Sequence, residues 1–195
     1  MKDAFPAHPE TFGGLVVRVA VDGRSASAVA TLVDATSLEL LASHAARIDI
    51  DTRGDGRAEG CLAALVAALA GLPEQPAIVL VEGHGTADAD RAGIALRFGA
   101  ATDLPSIGIG DALPAGMQSR TSLHDMRGAF TPLRDGAEQV GWVLRSRVGA
   151  APLIVSPGHR VALPSAPELV MRCIRGDRLP EPLRLAIGLL PPSRA

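Results

Sequence analysis

The sequence predicts an α/β fold in which a mixed sheet, three antiparallel strands followed by parallel ones, is flanked by helices. Two observations carry this. The first third has strand-like apolar runs with hairpin punctuation, and the middle third runs helix, apolar strand, glycine loop, helix, strand. The length of 195 residues suits one domain over residues 1–195 with a sizeable core.

Leu15–Val21 is apolar and β-branched, Asp22-Gly23 is a hairpin turn pair, and Ser25–Val33 alternates small polar with apolar residues, so the two segments should pair antiparallel. A third strand is expected over Leu38–Ser43, after the turn-forming Asp34-Ala35-Thr36, while the glycine-rich polar stretch Asp49–Gly56 reads as a loop. Ala58–Leu72 is rich in alanine and leucine, carries apolar residues on every face and stops at Gly71 and Pro73, which predicts a largely buried helix. Ala77–Val81 fits a buried central strand, Ala89–Ala100 has helical spacing, and Ser106–Gly110 is a further short strand. Gly116–Asp135 is polar and irregular and reads as a long loop. Gln139–Val148 and Pro152–Val155 form a second hairpin through Gly149, and helices follow over Ala166–Ile174 and Pro182–Leu190.

Composition narrows the function classes. Although 47% of the residues are hydrophobic, no run approaches the roughly 20 apolar residues of a membrane span. Residues 1–10 lack the apolar stretch of a secretory leader, so the expected location is cytoplasmic, with no membrane partner. Cys61 and Cys173 each lie inside an apolar helical pattern and are expected to pack as core thiols. A net charge of -2 gives no global attraction to a phosphate backbone, and the absence of tyrosine removes stacking platforms that single-strand binders use.

Four segments together resemble endonuclease V: Val81-Glu82-Gly83-His84-Gly85, Leu104-Pro105-Ser106-Ile107-Gly108, Val155-Ser156-Pro157-Gly158-His159-Arg160, and the run from Arg172 to Pro182. With Arg91–Ala95 and Val143–Arg147 between them, the likeness covers most of residues 77–186; Ser37–Leu41 and Arg57-Ala58-Glu59-Gly60 extend it faintly toward the N-terminus. The resemblance implies a ribonuclease-H-like fold and a magnesium-dependent (or manganese-dependent) nuclease. Such enzymes cut near deaminated bases such as inosine in DNA or RNA, a DNA-repair chemistry.

Metal-assisted phosphodiester hydrolysis needs carboxylates that converge on hard cations. Glu82 ends an apolar strand, where open α/β sheets place ligands, and stands where the resembled family has a metal-binding aspartate. Glu59 matches that family's catalytic glutamate at the start of the first helix. Asp22 is the acid nearest to the family's first-strand aspartate, yet Asp22-Gly23 is also an ordinary turn pair, and a direct register puts Val19 or Val21 at that place. His159 matches an active-site histidine of the family, and His84 stands two residues after Glu82; either imidazole can move a proton near neutral pH. Gly83 and Gly85 are expected to allow positive φ or close backbone approach.

The departures share a direction. Asp88, Asp90 and Asp111 stand where the family has a histidine, an arginine and a catalytic lysine, and at about 1 kcal/mol or more per close contact these reversals weaken any DNA or RNA partner. The tyrosine-bearing wedge is replaced by the loop over Asp49–Asp55. Asp111 completes a possible carboxylate triad with Glu59 and Glu82. The sequence therefore supports a divergent metal-dependent nuclease first, and beside it a repurposed enzyme for a small substrate or a non-catalytic binding protein. Arg145, Arg147, Arg172, Arg175 and Arg178 read either as phosphate contacts or as a solvated face with acidic partners.

Overall fold

The structure is a computed structural model and describes residues 2–6, 8–50, 56–119 and 122–191. Its strands are β1 (Thr11–Val19), β2 (Ser25–Asp34), β3 (Leu40–Asp49), β4 (Ile78–Glu82), β5 (Ser106–Gly110), β6 (Phe130–Asp135), β7 (Glu138–Leu144) and β8 (Leu153–Pro157). Its helices are α1 (Gly56–Ala70), α2 (Ile94–Thr102), α3 (Ala166–Arg172) and α4 (Glu181–Leu189). The strands form one 8-stranded sheet in the order β3-β2-β1-β4-β5-β8-β7-β6. β1, β4 and β5 run parallel, and the remaining neighbours pair antiparallel.

The alternation of β1 and β4 divides the core in two. Phe12, Val16, Ile78 and Leu80 point to one face, where Val170, Leu183 and Ala186 of α3 and α4 cover them. Leu15, Val79 and Val81 point to the other, against Ala64, Leu65 and Ala68 of α1 and Phe98 of α2. Only one stripe of α1 is buried, so the helix lies on the sheet and turns the rest of its surface, Glu59 included, to solvent. Gly14 decides how closely α4 approaches: a Cβ there would stand 2.3 Å from the Pro182 carbonyl, which instead accepts the Thr31 hydroxyl at 2.8 Å.

β5 alternates Ile107 and Ile109, packed on the α3–α4 side, with Ser106, Gly108 and Gly110 on the other. The small residues leave a trough, and the segment between β4 and α2 lies in it, bringing the Gly85 amide 2.4 Å from where a Gly108 Cβ would be. Gly83 adopts φ 127° to make the turn. This explains a late start for α2: helical spacing predicts Ala89, but Arg91 sits at φ 57° and the helix begins at Ile94, once the chain has cleared β5.

Other boundaries moved for similar reasons. β3 runs to Asp49 because the whole of β2 offers it a ladder, from Leu40 opposite Val33 to Asp49 opposite Ser25, whereas Leu38, at φ 54°, belongs to the turn. Phe130–Asp135, expected as loop, is strand β6; it pairs with β7 through a turn at Gly136 (φ 57°). Pro132 masked it, yet an outermost strand tolerates a proline because, among the described residues, no further strand pairs with its outer side. Cys173 is buried as expected and burial pushes its thiol pKa up, while Cys61 is only partly covered. Among the described residues no helix is long and apolar enough to cross a membrane. Residues 51–55 of the loop that stands in place of the wedge lie outside the described residues.

Candidate functional site

Parallel strands bring their C-terminal ends to one rim of the sheet, and the strand order puts β1, β4 and β5 side by side there. Glu82 ends β4, Asp111 follows β5, and Arg18 lies near the end of β1. The β1–β4 register, Leu15 opposite Val81, places Val16 level with Glu82, rather than Val19 or Val21. Two residues beyond Val16 on the same face comes Arg18.

Arg18 takes Glu82 with two nitrogens: Nη2 donates to Oε1 at 2.7 Å and Nη1 donates to Oε2, while Nη1 also donates to its neighbour's carbonyl, Val17 O, at 2.9 Å. The Glu82 hydrogen bond raises the guanidinium pKa against the opposing pull of burial, and the charges of Glu82 and then Asp111 add to it. Asp111 is held in turn by Arg178, Nη1 to Oδ1 at 2.7 Å. Arg178 is fixed from behind by donating Nε to Ala151 O (2.7 Å) and Nη2 to Pro152 O (3.0 Å). The rim thus carries a chain of alternating charge, Glu82, Arg18, Asp111, Arg178.

The other expected residues sit as follows. Glu59, in the first turn of α1, is paired with Arg97 of α2, and α1 covers the face opposite to the one Glu82 shares with Leu80. Asp22 Oδ1 accepts the Arg24 amide at 2.9 Å and is engaged in the β1–β2 turn. His84 is half-buried with its ring against Gly110, and its Nδ1 is buried without a hydrogen-bond partner among the described residues. Burial lowers the His84 pKa, opposed by the charge of Asp88. Asp88 uses its backbone carbonyl to hold the turn at Arg91, and Asp90 is exposed.

His159 stands apart from this group. Its amide donates to Ser106 Oγ at 2.9 Å and its Nε2 lies 3.0 Å from Asp103 Oδ1, where Arg160 also binds Asp103 at 2.8 Å. Ser106 opens β5 and Asp111 follows its last residue, so the five-residue strand separates His159 from Asp111 by roughly 13–17 Å. β8 ends at Pro157, opposite Ile107 near the start of β5, so His159 comes at the opposite rim, which sequence adjacency to a family motif does not reveal. Of the arginines named from sequence, Arg178 and Arg145 have acidic partners (Asp111 and Asp125), and Arg172 lies over the Phe12 ring at 5.8 Å.

A resident magnesium or manganese ion needs several oxygen ligands turned to one point. Among the described residues no three or more His, Cys, Asp and Glu gather in a way that would hold a metal ion. Both oxygens of Glu82 are on Arg18, Asp111 and Glu59 each have an arginine, and Val16 level with Glu82 offers no donor. The donor set does not fit such an ion. The residues that sequence reasoning passed over are Arg18 and Arg97. The sequence signal for Arg18 is that it is the one charged side chain in the apolar run Leu15–Val21.

A sequence model of the family described as Endonuclease V matches residues 58–187. An Endonuclease V of Xanthomonas axonopodis pv. citri is 40% identical over 191 residues, covering 95% of this chain and 78% of its own. The crystal structure of Endonuclease V from Streptomyces avermitilis superposes with a TM-score of 0.87 at 30% identity, over 97% of this chain and 84% of that one. The Ciona intestinalis enzyme, solved with a 24mer DNA containing an inosine followed by a ribo-adenosine, superposes with a TM-score of 0.75 over 95% of this chain and 86% of that one; its 17% identity speaks for the fold alone.

Proposed function

The chain belongs to the endonuclease V family and has its ribonuclease-H-like sheet, and from that premise we propose that this member engages nucleic acid without cutting it, arginine standing where its relatives would use a metal. One observation carries the reading: Glu82 and Asp111, the two acids at the parallel strand ends, are held by Arg18 and Arg178. A guanidinium balances their charge, but it has no open coordination position and cannot lower the pKa of a bound water. The same pairing favours binding, since two acids matched by two arginines no longer repel a phosphate as bare carboxylates at about 1 kcal/mol or more each would. Two unpaired thiols fit a reducing compartment such as the cytoplasm.

A second reading is a divergent magnesium- or manganese-dependent nuclease cutting near deaminated bases. What favours it is that Glu82 and Asp111 end adjacent parallel strands and both act on Arg18, so a cation displacing that guanidinium would meet two carboxylates. Incubation of wild type and Glu82→Gln with labelled inosine-containing DNA and RNA, single- and double-stranded, with either metal, separates the two. We expect saturable, salt-sensitive binding by fluorescence anisotropy, unchanged by chelator, and intact strands. Metal-dependent cleavage lost in Glu82→Gln would overturn the first reading in favour of the second. A folded protein that binds none of the four substrates would overturn both and point to a small-molecule ligand.

A further inference from the structure

The two edges of the sheet are built differently. β6 carries Pro132, Arg134 and Asp135 within six residues, and Gln118 exchanges backbone hydrogen bonds with Arg134 at 2.8 and 2.9 Å along its outer side. β3 has ten residues with neither proline nor lysine, and from Leu40 to Ile48 its one acid or base other than His44 is Arg47. Among the described residues no strand pairs with its outer side. Unpaired edges of this length are usually blunted by charge, proline or a bulge, because a row of open N–H and C=O groups templates further pairing. The one irregularity in the β2–β3 register lies at its very start, by Leu32 and Val33. Leu40 and Leu41, 42% and 54% exposed, stand side by side on this edge.

We propose that β3 is the pairing edge of a homodimer, in which two copies join antiparallel about a twofold axis at Ser43. Charge selects this register. It sets Glu39 of each copy opposite Arg47 of the other, two ion pairs by symmetry, and neither residue has an ion-pair partner of its own among the described residues. It also places each Leu40 opposite Ala46 and each Leu41 opposite Ala45, so small side chains receive the exposed leucines. An axis one residue further on, at His44, sets Glu39 against Asp49, acid against acid. The contact covers about 30 Å of edge, gives one continuous sheet across both copies, and leaves the rim with Glu82 and Asp111 free. It stands independently of any nucleic-acid role.

Sedimentation equilibrium of the full chain over roughly 1 to 100 μM tests it. Wild type should approach twice its 20.1 kDa mass and dissociate on dilution. Arg47→Glu, which puts like charges opposite one another twice, should weaken the dimer roughly tenfold or more. Glu39→Arg with Arg47→Glu should restore it. Circular dichroism confirms that each variant is folded. A wild type that stays monomeric throughout, a dimer indifferent to Arg47→Glu, or a double variant that fails to recover would each overturn the proposal.

Discussion

Gly108→Ala is expected to loosen the segment that carries His84. Its new methyl would lie 2.4 Å from Gly85 N, 2.6 Å from His84 C and 2.7 Å from Gly83 O, all backbone atoms, so no flexible side chain can move aside. The segment must lift, which breaks the bonds from Gly85 N to Ser156 Oγ and from Thr86 N to Pro157 O, each 2.8 Å. Overpacking of this kind costs about 1–3 kcal/mol. Two lost internal hydrogen bonds add about 1 kcal/mol each. The sum, roughly 3–5 kcal/mol, corresponds to a fall in Tm on the order of 10 °C for a chain of this size. Thermal unfolding followed by far-ultraviolet circular dichroism reads it, with Gly188→Ala as control, since nothing lies within 4 Å of a Cβ at that exposed helical position. A Gly108→Ala protein melting with the wild type would refute the account of the β5 trough.

Two further outcomes follow from buried groups. The Arg184 guanidinium, at 2.8 Å and 2.5 Å from the two Glu181 oxygens, holds that carboxyl below the usual carboxylate range against the opposing effect of burial. A depressed folded-state pKa contributes stability that is present above the unfolded value and lost as pH falls through the folded one. Glu181→Gln should therefore cost about 1 kcal/mol near pH 7, and the difference from wild type in a pH series of melting curves should shrink below about pH 4. Cys173, fully buried with its thiol pKa pushed up by burial, should resist a disulfide reagent until denaturant is added, while Cys61, partly exposed, should react first. Equal rates in the native protein would contradict the packing described.

The strands β1, β2, β4 and β5 were legible because their apolar pattern and their turns are encoded within a few adjacent residues, as at Asp22-Gly23. β6 was not, because Pro132 disguises a strand whose partner, β7, supplies the ordering. The acids of the rim were found from a short motif, Val81–Gly85, and from the place of Asp111 after β5. Their condition was hidden. Arg18 meets Glu82 across 64 residues of sequence, and the partner of Asp111, Arg178, lies further away still.

Short-range pattern was enough to establish an α/β chain of this family, the strand-end position of Glu82, and the glycines, Gly83 and Gly85, of the segment that crosses β5. Which charges neutralise one another, that His159 faces the opposite rim, and that β3 presents an open edge were decided only in the folded molecule. The physical reason is range: hydrogen-bonded turns and apolar periodicity act between near neighbours in sequence, whereas ion pairs are selected by the strand order, which sets side by side β1, β4 and β5 from distant parts of the chain.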